Sequence, residues 1–350
     1  MNIKNLIYLI VFFIVIFFLC GCTDNTAWNK HPDNPILSEL PENAWDHWRS
    51  DPYVMREGNT YKMWYGANQN GSYTQIGYAT SNDGINWSRH PEPVVSLGLP
   101  GSWDDEDVET PTVVKYNGMY HLWYCARGEP DGSDLFPDAT YRIGHATSLD
   151  GIQWTKDPEN PIIPLGNQSI NEWDWAANAE PTVIVEDGIF KMWYVGGNIL
   201  NDEFHLHIGY AISYDGSEWI KYDGNPVLTA VDYNGITTPS VVHSDIGYEL
   251  WCTIFDASTG LPTGPIKYAF SPDGINWTMI PGIELDKGPL GEWDSYGIFG
   301  PTVLVDENEY KIWYSGFRVN IDFSVNFGIG YATKEKNNLH FHHRGLLSTK

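Results

Sequence analysis

The sequence predicts an all-β fold, a five-bladed β-propeller with four antiparallel strands per blade, and three recurring patterns predict it. A short β-branched run opening on a residue and a proline occurs five times: Asp51-Pro52-Tyr53-Val54, Thr110-Pro111-Thr112-Val113, Glu180-Pro181-Thr182-Val183, Thr238-Pro239-Ser240-Val241 and Gly300-Pro301-Thr302-Val303. Each is followed by an aromatic run: Tyr61-Lys62-Met63-Trp64-Tyr65, Tyr120-His121-Leu122-Trp123-Tyr124, Phe190-Lys191-Met192-Trp193-Tyr194, Tyr248-Glu249-Leu250-Trp251-Cys252 and Tyr310-Lys311-Ile312-Trp313-Tyr314. Third runs begin at Ile76, Ile143, Ile208, Ile266 and Ile329. Self-similarity at a period of ~60–70 residues marks stacked supersecondary units, and four strands per unit is the make-up of a propeller blade.

Each run is β-branched and aromatic with turn residues at its ends, which reads as a strand. Alternation is imperfect, as in sheets covered on both faces. Four repeats then carry Ser-x-Asp-Gly-x-x-Trp, at residues 81–87, 148–154, 213–219 and 271–277. Asp-Gly supplies the positive φ of a tight hairpin, and the Asp carboxylate accepts N–H bonds within the turn. The Trp begins the fourth strand and packs between neighbouring blades. The fifth repeat lacks this turn. Its outer strand is expected either from residues 339–342 or from the N-terminus, where Trp28-Asn29-Lys30-His31-Pro32 matches Trp87-Ser88-Arg89-His90-Pro91.

Ahead of the repeats, residues 6–19 are almost wholly apolar after Lys4. Such a run is short for a spanning helix, which needs ~20 residues, and has the length of a signal-peptide core. The Leu19-Cys20-Gly21-Cys22 that follows resembles the lipobox of bacterial-type lipoproteins. That resemblance implies cleavage before Cys22 and its acylation; the alternative is an uncut single-pass anchor. The expected organisation is a signal peptide over 1–21, a lipidated tether over 22–27 and one propeller domain over 28–350. The location that follows is the cell envelope, outside the cytoplasm and lipid-anchored to the membrane. A formal net charge of −25 repels nucleic acid and anionic lipid. Cys125 and Cys252 lie in different repeats inside apolar strands and read as small buried hydrophobes. His145, His205, His207 and His243 show no metal-ligand spacing, so no metal and no cofactor are expected. The chain reads as a monomer.

Strand direction sorts the chemistry. The starts of the first strands and the ends of the second strands share one face, and the Asp-Gly turns lie on the other. On the first face, Trp45-Asp46, Trp103-Asp104, Trp173-Asp174 and Trp293-Asp294 recur and read as loop anchors. The residues at the proline do not recur. Acids stand there only in the first three repeats, as Asp51, Glu109 (before Thr110) and Glu180, and these are the catalytic candidates. Paired carboxyls on one face suit general acid–base work, one giving a proton and the other taking one. The substrate-binding candidates are Trp48 and Arg49 beside Asp51, Asp107 near Glu109, and Asn68, Arg127, Asn198 and Arg318 after the second strands. Trp48 and Trp175 do not recur and suit stacking on a sugar ring.

The Asp-Gly turns resemble the Asp-box of sialidases and related propellers. The chain as a whole resembles the five-bladed propeller glycosidases, family 43 with relatives in families 32, 68, 117 and 130. That resemblance implies a general base at Asp51 in Ser50-Asp51-Pro52 and a general acid at Glu180 in Ala179-Glu180-Pro181. It gives Glu109 the task of tuning the acid's pKa. Glu109 stands one residue further from its proline than Asp51 or Glu180, and a one-residue shift turns a strand side chain to the opposite face. Glu109 therefore reaches the axis only if a bulge corrects it, and Asp107 is the substitute. The implied function is an extracytoplasmic glycoside hydrolase of oligo- or polysaccharide, inverting if the carboxyls stand ~6.5–9.5 Å apart. Three alternatives stand beside it. One is a β-mannoside phosphorylase or hydrolase of the family 130 type, which needs basic residues near the acid for phosphorolysis. Another is a sialidase, which needs three converging Arg. The last is a non-catalytic carbohydrate-binding propeller lipoprotein.

Overall fold

The computed structural model describes residues 27–336, apart from 38–39, 42, 70, 72, 129–139, 202, 231–234, 256–262 and 307. The expected signal segment, Cys22 and the alternative outer strand at 339–342 lie outside the described residues. Among the described residues no helix is long and apolar enough to cross a membrane, and the helix present is one 3-10 turn, Gln168–Ile170.

The first repeat forms β2 (Trp48–Glu57), β3 (Thr60–Asn68), β4 (Gln75–Ser81) and β5 (Ser88–Arg89), and β1 (Asn29–Lys30) precedes it. The second forms β6 (Asp107–Tyr116), β7 (Met119–Arg127), β8 (Arg142–Ser148) and β9 (Thr155–Lys156). The third forms β10 (Ala177–Glu186), β11 (Ile189–Leu200), β12 (Glu203–Ser213) and β13 (Trp219–Lys221). The fourth forms β14 (Gly235–Ser244), β15 (Gly247–Phe255), β16 (Ile266–Ser271) and β17 (Thr278–Met279). The fifth forms β18 (Gly297–Val305), β19 (Glu309–Val319) and β20 (Val325–Glu335). The strands assemble into three four-stranded sheets and one eight-stranded sheet. The eight-stranded sheet is two antiparallel four-strand runs joined by a single parallel pair, Leu206 with Gly235. The first strands β2, β6, β10, β14 and β18 pack each on the next, and β18 returns to β2.

The N-terminus closes this ring. Asn29 and Lys30 pair with Thr333 and Ala332, so β1 is the outer strand of the last sheet. Asn34 grips Tyr331 through both its N–H and C=O, at 2.9 Å each. Asn160 does the same to His145, and Asn225 to Tyr210. The equivalence expected from the Trp28 and Trp87 segments is present in the backbone, where the His31 N–H donates to the Tyr331 carbonyl at 2.9 Å as the His90 N–H does to the Tyr78 carbonyl at 2.7 Å.

Packing between repeats runs through the second-strand tryptophans. Trp64, Trp123, Trp193, Trp251 and Trp313 are all fully buried. The indole N–H of four of them donates to the glycine carbonyl of a neighbouring Asp-Gly turn: Trp64 to Gly151, Trp123 to Gly216, Trp193 to Gly274 and Trp313 to Gly84, at 2.7–2.9 Å. The turn itself is held by its Asp. Asp83 Oδ1 accepts the N–H groups of Ile85 and Asn86 at 2.9 and 2.8 Å, and Asp150, Asp215 and Asp273 repeat the pattern. These turns are structural, as their recurrence implies. The fourth-repeat Trp251 faces the repeat that lacks a turn, and its Nε1 has no partner among the described residues.

The Trp-Asp pairs are anchors as well. Asp46 is held by Arg89, and Asp104, Asp174 and Asp294 by Lys156, Lys221 and Lys30 at 2.6 Å each. Tyr65, Tyr194 and Tyr314 add their hydroxyls to Asp46, Asp174 and Asp294. Cys125 and Cys252 are free and buried.

Candidate active site

Proline has no N–H to give a ladder, and every first strand breaks its register at the residue pair ending in its proline. The shifts fall between Ser50/Tyr53, Glu109/Thr112, Ala179/Thr182, Thr237/Ser240 and Phe299/Thr302. At each bulge the residue before the proline has a positive φ: 50° at Asp51, 46° at Thr110, 50° at Glu180, 47° at Thr238 and 59° at Gly300. For the four non-glycine residues this region costs of the order of 1–3 kcal/mol each. The strain recurs whether or not an acid is present, so it belongs to the architecture. Its effect is to turn five side-chain positions onto one solvent-open axial cavity, lined by these five residues and their prolines.

Two of the five carry carboxyl groups. Ser50 Oγ donates to Asp51 Oδ2 at 2.7 Å, and the Asp51 N–H donates to Ser315 Oγ at 2.7 Å. Burial pushes the Asp51 carboxyl up to about 6, against the Ser50 hydrogen bond. Glu180 Oε2 accepts the Thr238 N–H at 2.5 Å. Burial pushes Glu180 up to about 7 against that bond, and the charge of Asp51 adds to the rise. Two carboxyls of raised proton affinity therefore share one cavity, close enough for the charge of Asp51 to raise Glu180.

Glu109 is placed differently. The bulge of its strand falls on Thr110 and Pro111, one residue after it, and Glu109 stays in register opposite Cys125. It is not a wall of the cavity. Its carboxyl is nevertheless pushed well up, by burial first and then by the charges of Asp51, Asp107 and Glu180, with Arg127 opposing. Asp107 is buried and committed: its Oδ1 accepts the Thr74 N–H at 2.8 Å and its Oδ2 pairs with Arg127 Nε at 2.6 Å. Arg127 lies over the Tyr141 ring, 5.6 Å from its centroid. The charge of Glu109 is the largest influence raising the Tyr141 hydroxyl's pKa.

The other candidates do not line the cavity. Arg49 is buried, with Nε donating to the Asp46 carbonyl at 2.9 Å. Trp48 is half-buried against Phe327, 5.3 Å between ring centroids. Asn68 builds a turn by accepting the Gly71 N–H at 2.8 Å. Trp175 donates to Asn171 at 2.8 Å. Asn198 is buried, and its Oδ1 has no partner among the described residues. Arg318 is exposed and donates to Asn326 at 3.4 Å. Among the described residues no group of three or more His, Cys, Asp or Glu side chains could hold a metal ion.

The model of glycoside hydrolase family 130, described as beta-1,4-mannooligosaccharide phosphorylase, matches residues 63–135. An uncharacterised protein of Mycobacterium tuberculosis is 35% identical over 165 residues, covering 45% of this chain and 50% of that protein. A 1,2-beta-oligomannan phosphorylase of a Thermoanaerobacter species is 31% identical over 152 residues, 40% of this chain and 49% of the relative. The chain spans about half the length of these curated relatives. A solved thermostable family-43 glycoside hydrolase superposes with a TM-score of 0.62 at 19% identity, over 82% of this chain and 92% of that one. The chain has the fold of the propeller-type glycosidases. Within that glycosidase fold, the family-130 match runs from β3 to just past β7 and contains Glu109 but neither Asp51 nor Glu180.

Four residues of this glycosidase-fold site escape a reading by repeats. Ser50, Thr238 and Ser315 bond the two acids, and Tyr141 stands against Glu109. Tyr141 carries a usable signal, an aromatic just before a third strand that recurs only as Phe327 in the fifth repeat. Ser315 carries a fainter one, a hydroxyl where the first three repeats have Gly66, Cys125 and Val195.

Proposed function

We propose that this chain is a glycoside hydrolase built as a five-bladed propeller, in which Glu180 is the general acid and Asp51 the general base of an inverting cleavage. The observation that carries the reading is that Asp51 and Glu180, from first strands two repeats apart, line one cavity with proton affinities raised to about 6 and about 7. At a pH between those values Asp51 is ionised and can activate water, and Glu180 keeps the proton that the leaving oxygen needs. Glu109 is assigned the part of the third acid, standing outside the cavity wall with its own carboxyl pushed up by burial and by the charges of Asp51, Asp107 and Glu180. Trp48, Arg49, Asp107, Asn68, Arg127, Trp175, Asn198 and Arg318 are assigned to the surrounding face, Arg127 and Asp107 as a pair. The substrate is an oligo- or polysaccharide met outside the cytoplasm by a monomer anchored through a lipid on Cys22. Proton NMR of the first-released anomer tests the mechanism: inversion is expected, and initial retention contradicts it.

Phosphorolysis is the second reading, favoured by the family-130 match and by the mannan phosphorylase relative. Against it, no lysine or arginine lines the axial cavity among the described residues, and a phosphate dianion needs such a partner. Incubation with mannooligosaccharide and inorganic phosphate separates the two: free sugar supports hydrolysis, and sugar 1-phosphate supports phosphorolysis.

A further inference from the structure

Repeats 4 and 5 place no acid on the cavity, yet their pre-proline residues touch the acids of repeats 3 and 1. Thr238 donates its backbone N–H to Glu180 Oε2 at 2.5 Å. Its Oγ1 meets Thr253 Oγ1 at 2.7 Å and accepts the Gly300 N–H at 3.3 Å. Gly300 lies directly against Asp51: a Cβ there would stand 2.8 Å from Asp51 Oδ1 and 3.2 Å from Ser315 Oγ. Ser315 Oγ accepts the Asp51 N–H. A continuous arc therefore runs from Glu180 through Thr238 and Gly300 to Asp51.

Three of the links depart from the repeat, while Thr238 shares its residue type and its positive φ of 47° with Thr110 of repeat 2, at 46°. Thr253 and Ser315 put buried hydroxyls where the first three repeats have Gly66, Cys125 and Val195. Gly300 is the one pre-proline position without a side chain, and that is what leaves room for Asp51 Oδ1. We propose that Thr238, Thr253, Gly300 and Ser315 are positioning residues that fix the Glu180 and Asp51 carboxyls across the cavity. The proposal rests on the hydrolase reading of that pair. The titratable groups around the pair are Tyr53, which lines the same cavity, and Glu109, Asp107, Arg127, Cys125 and Tyr141 from repeat 2, and none of them belongs to the arc.

The test uses Thr238→Val, Thr238→Ser and Gly300→Ala in the full mature chain, each first checked for native circular dichroism. Thr238→Val removes the acceptor for Gly300 while keeping the Glu180 donor, and Thr238→Ser keeps both. A misplacement of about 1 Å costs on the order of 100-fold in rate, so Thr238→Val and Gly300→Ala should lose about that much kcat with KM within about twofold. The limbs of their pH–rate profiles should shift, and Thr238→Ser should stay near wild type. A kcat and pH profile unchanged in Thr238→Val overturns the proposal even if Gly300→Ala does not fold. If the wild type cleaves no glycoside, the hydrolase reading has failed separately. Carboxyl-carbon NMR titration then decides the arc alone: shifted Asp51 and Glu180 midpoints in Thr238→Val support it, and unshifted midpoints overturn it.

Discussion

At the scale of single residues, the chemistry turns on two protons. Asp51 and Glu180 are carboxyls taken out of water, and burial is the first cause of both raised pKa values. Activity needs Asp51 ionised and Glu180 protonated, so kcat/KM should be bell-shaped, with limbs near 6 and 7 that belong to the pair. A stopped assay from pH 4 to 9 checks this. The same shift is a stability statement. Glu180 moves from an ordinary 4.5 to about 7 on folding, so the folded state holds its proton more tightly. Its contribution to stability is present in full below pH 4.5 and is lost as pH rises through about 7. Glu180→Gln removes that loss. Its denaturation midpoint relative to wild type should rise between pH 5 and pH 8, by up to about 3 kcal/mol in unfolding free energy. Urea titrations at the two pH values measure it. Asp51 and Glu180 were legible in the sequence because they break a repeat at one position. The placing of Glu109 was not, because the bulge that turns a side chain to the axis is fixed by the missing N–H of the following proline. In its strand the residue so turned is Thr110.

At the scale of elements, the Asp-Gly turn and the second-strand Trp form one joint between repeats. Trp64→Phe removes an indole N–H bonded at 2.9 Å to the buried Gly151 carbonyl, and leaving such a group unsatisfied costs about 1–3 kcal/mol. Trp251→Phe removes an N–H without a partner among the described residues, so it should cost less by about that amount. Calorimetry of the two variants checks the difference, and equal losses contradict the joint. The turns were legible in full, since Ser-x-Asp-Gly-x-x-Trp carries its own backbone requirement. The anchoring of Asp46, Asp104, Asp174 and Asp294 was legible only as recurrence. Their Arg or Lys partners sit on outer strands too short to stand out in a sequence.

At the scale of the whole molecule, the ring is closed by residues that precede its first repeat. Lys30 on β1 reaches the buried Asp294 of the last repeat at 2.6 Å. Removing one partner of a buried pair costs about 3–5 kcal/mol. Lys30→Met should therefore destabilise the chain by roughly 3 kcal/mol, the lower end because Lys30 is partly exposed. Lys156→Met should do the same through Asp104, and a Lys30 variant as stable as wild type contradicts closure through β1. Both candidate closures were visible in the sequence. The pairing of β1 with β20 selects one because Asn34 satisfies both backbone groups of Tyr331.

The central claim is that Asp51 and Glu180 divide one cleavage between them. The direct measurement is the rate of Asp51→Asn and Glu180→Gln on a natural oligosaccharide and on the dinitrophenyl glycoside of the same sugar, whose leaving group needs no proton. The account predicts that Glu180→Gln loses the natural substrate by orders of magnitude yet retains the activated one, and that Asp51→Asn loses both. Two variants that each cleave both substrates at the wild-type rate would contradict it.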